Sequence, residues 1–369
     1  MDRVELHLLS FPPEPIPKGP TMTALSDECR TVTEVVLPGI VDPDGLQFRK
    51  RTLPLPTAGQ ALVRVDATGL SFAEQGMRRG RYPGQPKFPF VLGYDLVGTV
   101  MAVGTDSDSN LVGTRVAAAT KTGGWASAVL VAVADLVPVP DQLDPAEVEA
   151  VVVNGITAYQ MLHRSAGAQP GQTILVHGAS GGVGTILVQL AGHEGIRVIG
   201  TAAPRHHAAL RELGVDPIDY HDPDLDQRVR ELAPNGVDAV FDHLGPASFR
   251  TSFSLLADGG TLVAYGSAAK LDDDNSMAAM FVGMLARLYS WNVLPNKRRA
   301  NFYNFWAGRL FSIRRFRQRQ HADLTAVLDL LAAGVVTPQI AATFPLTEAV
   351  AAFALADSHT TSGKIVLLP

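Results

Sequence analysis

The sequence holds one cysteine in 369 residues, and that scarcity excludes much. Cys29 alone forms neither an internal disulfide framework nor a multi-cysteine zinc site, so a reducing, cytoplasmic setting is expected. Long apolar runs are missing too. The longest window, MAAMFVGMLARL at 277–288, is about a dozen residues, against the roughly 20 that a membrane-spanning helix needs. The N-terminal stretch MDRVELHLLSFPPEPIPKGP has prolines where a signal peptide needs an apolar core. There is no excess of positive charge: 31 Lys and Arg face 36 Asp and Glu, for a formal charge of −5. Nucleic acid is therefore not the default partner. No repeat or low-complexity tract breaks the chain.

What is present reads as a folded protein, 46% hydrophobic and 18% charged. Its length exceeds one typical core and points to two domains. Residues 1–30 form an irregular, proline-rich tail. From Thr31, short β-rich runs (TVTEVVL, ALVRVDATGL, VLGYDLVGTVMAVG, TRVAAAT, WASAVLVAV) are punctuated by Gly, Pro and Asp, as in an antiparallel sheet or barrel. Past Asp144 the period changes to helical over 145–163, with Asp144 as N-cap and Pro145 at the helix start. Strands and helices then alternate through TILVH, RVIGTA, PIDY, VDAVFD and GTLVAYG, the pattern of a doubly wound parallel sheet covered on both faces. From Leu324 the chain returns to helix, loop and a final strand, KIVLLP, which can close the first domain's sheet. The expected division is 31–154 with 296–369 as one domain and 155–295 as the other.

Between TILVH and an apolar helix lies HGASGGVG, with Gly178, Gly181 and Gly184 spaced G-x-x-G-x-x-G. A strand-to-helix turn without Cβ atoms lets backbone approach a pyrophosphate at the helix N-terminus. This predicts a dinucleotide site. NAD-binding turns place an acid at the end of the second strand, but GTAAPRHHAAL offers Arg205, His206 and His207 instead. A guanidinium suits a 2′-phosphate, which favours NADPH, although Arg205 also fits a surface role on the next helix.

On these residues, together with GLSFAEQGMRRGRYP, GITAYQML and SGKIVLLP, the chain from about Thr31 to Pro369 resembles the zinc-independent quinone oxidoreductase (zeta-crystallin/VAT-1-like) branch of the medium-chain dehydrogenase/reductase superfamily. The resemblance implies an α/β chain: a GroES-like, β-barrel-type domain plus a doubly wound Rossmann parallel sheet, with the cofactor in the cleft between them. Where zinc-dependent relatives bind metal, this chain has Ser71 and Tyr94, with Val153 near the third position, so no metal is assigned. Without a Lewis acid, an electron-poor alkene or quinone is the easier hydride acceptor. Within GLSFAEQGMRRGRYP the family's Asn is replaced by Ser71 and one Tyr by Gly76, while Tyr82 is retained. Tyr82, Ser71 or water is expected to supply the balancing proton, with Tyr94 beside them as catalytic group or pocket wall; Tyr82 also fits simple packing at the loop's rim. The implied cofactor set adds Ser180, Gly182 and Val183 in the turn, Thr157 and Gly266 with Ser267 near the nicotinamide, His207 and Tyr220 near the adenine ribose, Gly245 after the fourth strand, and His359 or Lys364 toward the phosphate. Asp242 fits either this role or a structural turn.

Residues 276–319 interleave basic and aromatic side chains, as in the longer VAT-1-like members of the family. They fit a cleft- or dimer-lining helix with its arginines in water, a platform for RNA or an anionic membrane, or recognition of a phosphorylated carrier. The expected function is zinc-independent, NADPH-dependent reduction of a small-molecule quinone or α,β-unsaturated carbonyl (enone) by a cytoplasmic homodimer. The alternatives are a nucleotide-sensing binding protein with little turnover and a stand-alone enoyl reductase.

Overall fold

The computed structural model describes residues 26–266, 277–358 and 362–369. Its first domain grows from strands whose alternate residues face opposite sides, as Ala61, Val63 and Val65 share one buried face while Leu62 lies buried on the other and Arg64 is exposed there. They are β1 (Thr31–Leu37), β2 (Gln47–Thr52), β3 (Gln60–Leu70), β4 (Phe90–Val91), β5 (Asp95–Val103), β6 (Arg115–Ala119), β7 (Ala128–Ala132) and β8 (Val137–Pro138). The second domain contributes β9 (Thr173–His177), β10 (Arg197–Ala202), β11 (Val215–Asp219), β12 (Val237–Asp242), β13 (Leu256–Ala264) and β14 (Arg299–Phe302), and the chain returns as β15 (Ile340–Pro345) and β16 (Lys364–Leu368).

Three sheets result. A small one runs β2-β1-β4, a seven-stranded one contains β15-β16-β3-β5-β6-β8 with β7 also on β3, and a six-stranded one runs β11-β10-β9-β12-β13-β14. Every pairing in the six-stranded sheet is parallel, whereas β3, β5, β6, β7 and β8 pair antiparallel. The closing strand β16 runs antiparallel to β3, as KIVLLP implied.

The helix Pro145–Gln160 joins the domains. Asp144 caps it, accepting from the amides of Ala146 at 2.8 Å and Glu147 at 3.2 Å, and Pro145 occupies its first turn. It continues as a π-turn over Met161–Ala166 and stops at Gly167, whose φ of +63° supplies the left-handed ending. One apolar cluster extends from Trp125 and Phe353 in the first domain, through Val152 and Ile156 of this helix, to Ile174 and Val176 of β9. The intervening Leu175 faces the opposite way, into a cluster with Ile199, Val240 and Phe249. Burial on both faces explains why TILVH is apolar throughout.

Two boundaries differ from the sequence expectation. The parallel sheet does not end at residue 295, because Arg299–Phe302 adds a sixth strand beside β13. Its four residues, RANF, follow two basic positions, Lys297 and Arg298; pairing with Thr261–Ala264 is what makes them a strand. The following helix starts at Ile313, upstream of Leu324. Its charged beginning hides an inward face made by Phe316, Gln320 and Asp323.

Trp125 is fully buried, donates Nε1–H to the Gly69 carbonyl at 2.8 Å and packs 5.3 Å from the Phe353 ring. Trp125→Ala is therefore expected to destabilise the protein by about 3–5 kcal/mol in equilibrium chemical denaturation.

Candidate functional site

A cleft of about 440 Å³ separates the glycine turn from the loop that opens the helix Phe72–Arg78. On one wall stand Leu70, Ser71 and Gln75; on the other, Gly178 and 181–184, including Val183, with His243, Tyr265 and Gly266 closing one end. The turn has no room for side chains. A Cβ on Gly184 would lie 2.2 Å from the Gly178 carbonyl oxygen, one on Gly182 would lie 2.8 Å from Asn154 Nδ2, and one on Gly178 would lie 2.4 Å from His243 Cε1. Gly178 also holds φ at +68°, a conformation that favours glycine. Gly181 caps the helix Gly182–His193 without a side-chain hydrogen bond, so the amides of the first turn face the cleft uncovered by a side chain. Such amides, with the positive end of the helix dipole, suit a pyrophosphate. The Ser180 carbonyl accepts from the Ser362 hydroxyl, which ties the turn to the returning chain.

The second cluster lies at the carboxyl ends of β10 and β11. His207 Nε2 approaches the Ala202 carbonyl at 3.1 Å, and the Tyr220 amide donates to the same oxygen at 3.3 Å. Tyr220 is half exposed and its ring lies 4.1 Å from His221, while Arg205 is exposed with Nε 3.1 Å from His206 Nε2. These groups form an open, cationic edge. Asp219, the nearby acid, accepts from the His221 amide. Gly245 precedes the helix Pro246–Ser254 with φ +119°. Asp242 proves structural: it is buried and accepts from the Leu244 amide and the hydroxyls of Ser248 and Ser252. Ser267 and His359 lie outside the described residues.

The three expected catalytic groups separate. Ser71 lines the cleft, but Tyr82 and Tyr94 do not. Their hydroxyls hydrogen-bond each other at 2.6 Å, and Trp306 donates its indole N–H to Tyr94. Phe305 and Trp306 pack edge-on or tilted against the Tyr94 ring. Burial pushes both phenols above the usual tyrosine range. Tyr82 and Tyr94 thus belong to an aromatic cluster, with their hydroxyls bonded to each other. Thr157 is buried against Tyr303, whose phenol donates to Gln160 Oε1 at 3.0 Å and is raised by burial.

Lys364 is also corrected. It is not available to a phosphate, because it is buried with Nζ 3.1 Å from Glu149 Oε1 and 3.3 Å from Asp95 Oδ2. Burial works to lower its pKa, but Asp95, Glu149 and Glu74 together hold it above the ordinary lysine value. Glu74 was missed, although Ser71-x-x-Glu74 carries the capping-box signature. The box is formed: Ser71 Oγ accepts from the Ala73 amide at 3.1 Å, and Glu74 Oε2 accepts from the Ser71 amide at 2.9 Å. Asn154, His243 and Tyr265 reach the cleft through tertiary packing alone, with no local motif to announce them.

The basic-aromatic segment is largely engaged with the protein itself. Arg317 pairs with Asp135 at 2.7 Å, Arg319 donates to the Ala307 carbonyl and stacks over Phe316, and Arg309 lies over Trp306. Among the described residues, no helix is long and apolar enough to cross a membrane.

The chain matches the family models for an alcohol dehydrogenase GroES-like domain over 57–141 and for a zinc-binding dehydrogenase over 213–367. It is 32% identical over 345 residues to the synaptic vesicle membrane protein VAT-1 homolog of Rattus norvegicus, covering 90% of this chain and 82% of that one. The match to the Homo sapiens homolog is 38% over 232 residues, 62% of this chain, and spans only 59% of that protein's length. A 2-haloacrylate reductase from Burkholderia sp is 30% identical over 341 residues, 89% of this chain and 96% of that one. A mycobacterial protein solved in complex with NADPH superposes with a TM-score of 0.77 at 28% identity, covering 92% of this chain and 100% of that one.

Gly184→Ala should force the Gly178 carbonyl out of place and weaken dinucleotide binding by about tenfold or more, about 1.4 kcal/mol, in a fluorescence titration. Unchanged affinity would show that the turn does not hold the ligand.

Proposed function

Because this chain belongs to the zinc-independent quinone oxidoreductase/VAT-1-like branch of the medium-chain dehydrogenase/reductase superfamily, we propose that it is an NADPH-dependent reductase of quinones or α,β-unsaturated carbonyl compounds. The observation that carries this reading is the side-chain-free turn facing Ser71 across one cleft. Backbone amides at the start of the helix Gly182–His193 would hold the pyrophosphate. Arg205, with His207 and Tyr220, would take the 2′-phosphate end, since β10 is followed by Ala203 and Pro204 rather than by an acid. The turn fits the group by its shape: each missing Cβ is space that a phosphate and its hydrogen bonds require.

Bound there, NADPH supplies a hydride to the acceptor. The chain's own contribution would be alignment and exclusion of water, with Gly266 and Ser71 among the residues that would border the bound cofactor. Ser71 and Tyr94 offer a hydroxyl and a phenol already bound to Tyr82 and Trp306, a donor set that zinc does not favour. An acceptor whose own conjugated carbonyl takes up negative charge fits this wall. The relative named a 2-haloacrylate reductase supports that class, since its named substrate is an activated alkene.

Following the nicotinamide absorbance with a panel of quinones and enones tests the reading; steady oxidation of NADPH is expected, and tight binding without turnover by any acceptor would refute it. Arg205→Ala should weaken NADPH binding roughly tenfold or more and leave NADH binding nearly unchanged. Calorimetry with both nucleotides measures the difference, and equal losses would remove Arg205 from the site.

A further inference from the structure

Behind the Ser71 wall, the protein buries more acid than base. Glu74, Asp95 and Glu149 are each 0% exposed, and Lys364, the cation facing them, is 4% exposed. Three buried carboxyl groups thus stand near one ammonium, which pairs with Asp95 and Glu149, in a space where uncompensated charge is costly. Glu149 and Asp95 lie on the far side, against Lys364. Glu74 lies on the near side: Oε1 accepts from the Tyr94 amide at 2.7 Å, and Oε2 contacts both the amide and the hydroxyl of Ser71. Ser71 in turn lines the cleft. One hydroxyl therefore separates a buried acid from the reacting space.

We propose that Ser71 and Glu74 form a proton relay, in which Ser71 is the group that protonates the reduced acceptor and Glu74 is the buried reservoir that recharges it. The proposal rests on the reductase reading above. Hydride addition to the β-carbon of an enone leaves an enolate. Ser71 Oγ–H gives its proton to that enolate as the carboxyl proton of Glu74 moves onto Ser71 Oγ. The acceptor has then gained one hydride and one proton, Ser71 is again neutral, and Glu74 is a carboxylate. After product leaves, a solvent proton returns to Glu74 through the same hydroxyl.

The surroundings keep the reservoir loaded. Burial is the largest influence and raises the Glu74 pKa; Lys364 from β16 opposes that rise, Asp95 from β5 adds to it, and the hydrogen bonds from the Ser71 hydroxyl and amide pull the other way, leaving a net rise. Glu149, on the helix Pro145–Gln160, is raised well above the carboxylate range, chiefly by burial. Tyr82 and Tyr94, the other titratable groups near Glu74, are themselves pushed up by burial and stay neutral. The relay needs the acid form of Glu74, so turnover is full below its raised pKa and falls as pH climbs through it.

The test compares enone turnover against pH for the wild type, Glu74→Gln and Ser71→Ala. Gln keeps the capping box but cannot release a proton. Both variants are expected to lose about a hundredfold in kcat and the alkaline fall, with the affinity for NADPH unchanged. Infrared titration of the nucleotide-free protein should show protonated carboxyl absorption from Glu74 and Glu149, and the wild-type-minus-Glu74→Gln difference should isolate a Glu74 component that disappears with rising pH. Should the Gln variant fail to fold, Ser71→Ala and the wild-type infrared titration still decide. Wild-type rates and pH profile in a folded Gln or Ala variant, or a Glu74 ionised across the whole range, would overturn the relay. No turnover by the wild type, with the carboxyl band present, would sink the reductase reading and leave the acid in place.

Discussion

The structure depends on one buried ion cluster more than on any other contact. Lys364 reaches from the last strand to Asp95 on β5 and Glu149 on the joining helix, so the C-terminus, the first sheet and the interdomain helix meet at a single ammonium. The fit is tight: a Cβ on Gly69 would lie 2.1 Å from both Glu149 Oε1 and Lys364 Cε. Buried charges of this kind contribute little net stability against an apolar alternative, but removing one partner leaves the rest uncompensated. The cluster therefore fixes geometry. It sets where β16 lies on β3, and with it the edge of the cleft at 363–365.

That edge faces a turn built on the opposite principle. On one side, charged groups are packed together away from water; on the other, side chains are removed until only backbone remains. The two walls divide the work of a reductase. On the proposed reading, peptide amides would hold the pyrophosphate of the cofactor, and titratable groups would manage the proton that accompanies the hydride. The aromatic cluster of Tyr82, Tyr94, Phe305 and Trp306 stands beside both and links the segment after β14 to the first domain.

Much of this was legible in the sequence because it is local. The glycine spacing, the capped start at Asp144 and Pro145, the apolar strand TILVH and the missing acid after β10 each depend on neighbours within a few residues, and each is found where the pattern placed it. What escaped depends on distance. Arg299–Phe302 is a strand only because β13 lies beside it, and Lys364 is a buried ion only because Asp95 and Glu149, both more than two hundred residues away, fold onto it. Tyr82 looked like a donor because nothing in the chain announces that Tyr94 and Trp306 use its surroundings. Glu74 was the avoidable miss, since its capping box with Ser71 is written in four consecutive residues.

A turn made of backbone has a further consequence for how such a protein changes over generations. Substitutions at Gly178, Gly182 or Gly184 collide with neighbours, so the grip on the shared phosphates has almost no room to drift. Arg205 stands exposed beyond the end of β10, where replacement disturbs no packing. If the turn holds the phosphates and Arg205 the 2′-phosphate, as proposed, affinity and nucleotide preference are housed in separate places, one rigid and one free, and the chain could exchange one dinucleotide for the other without rebuilding the cradle that holds either.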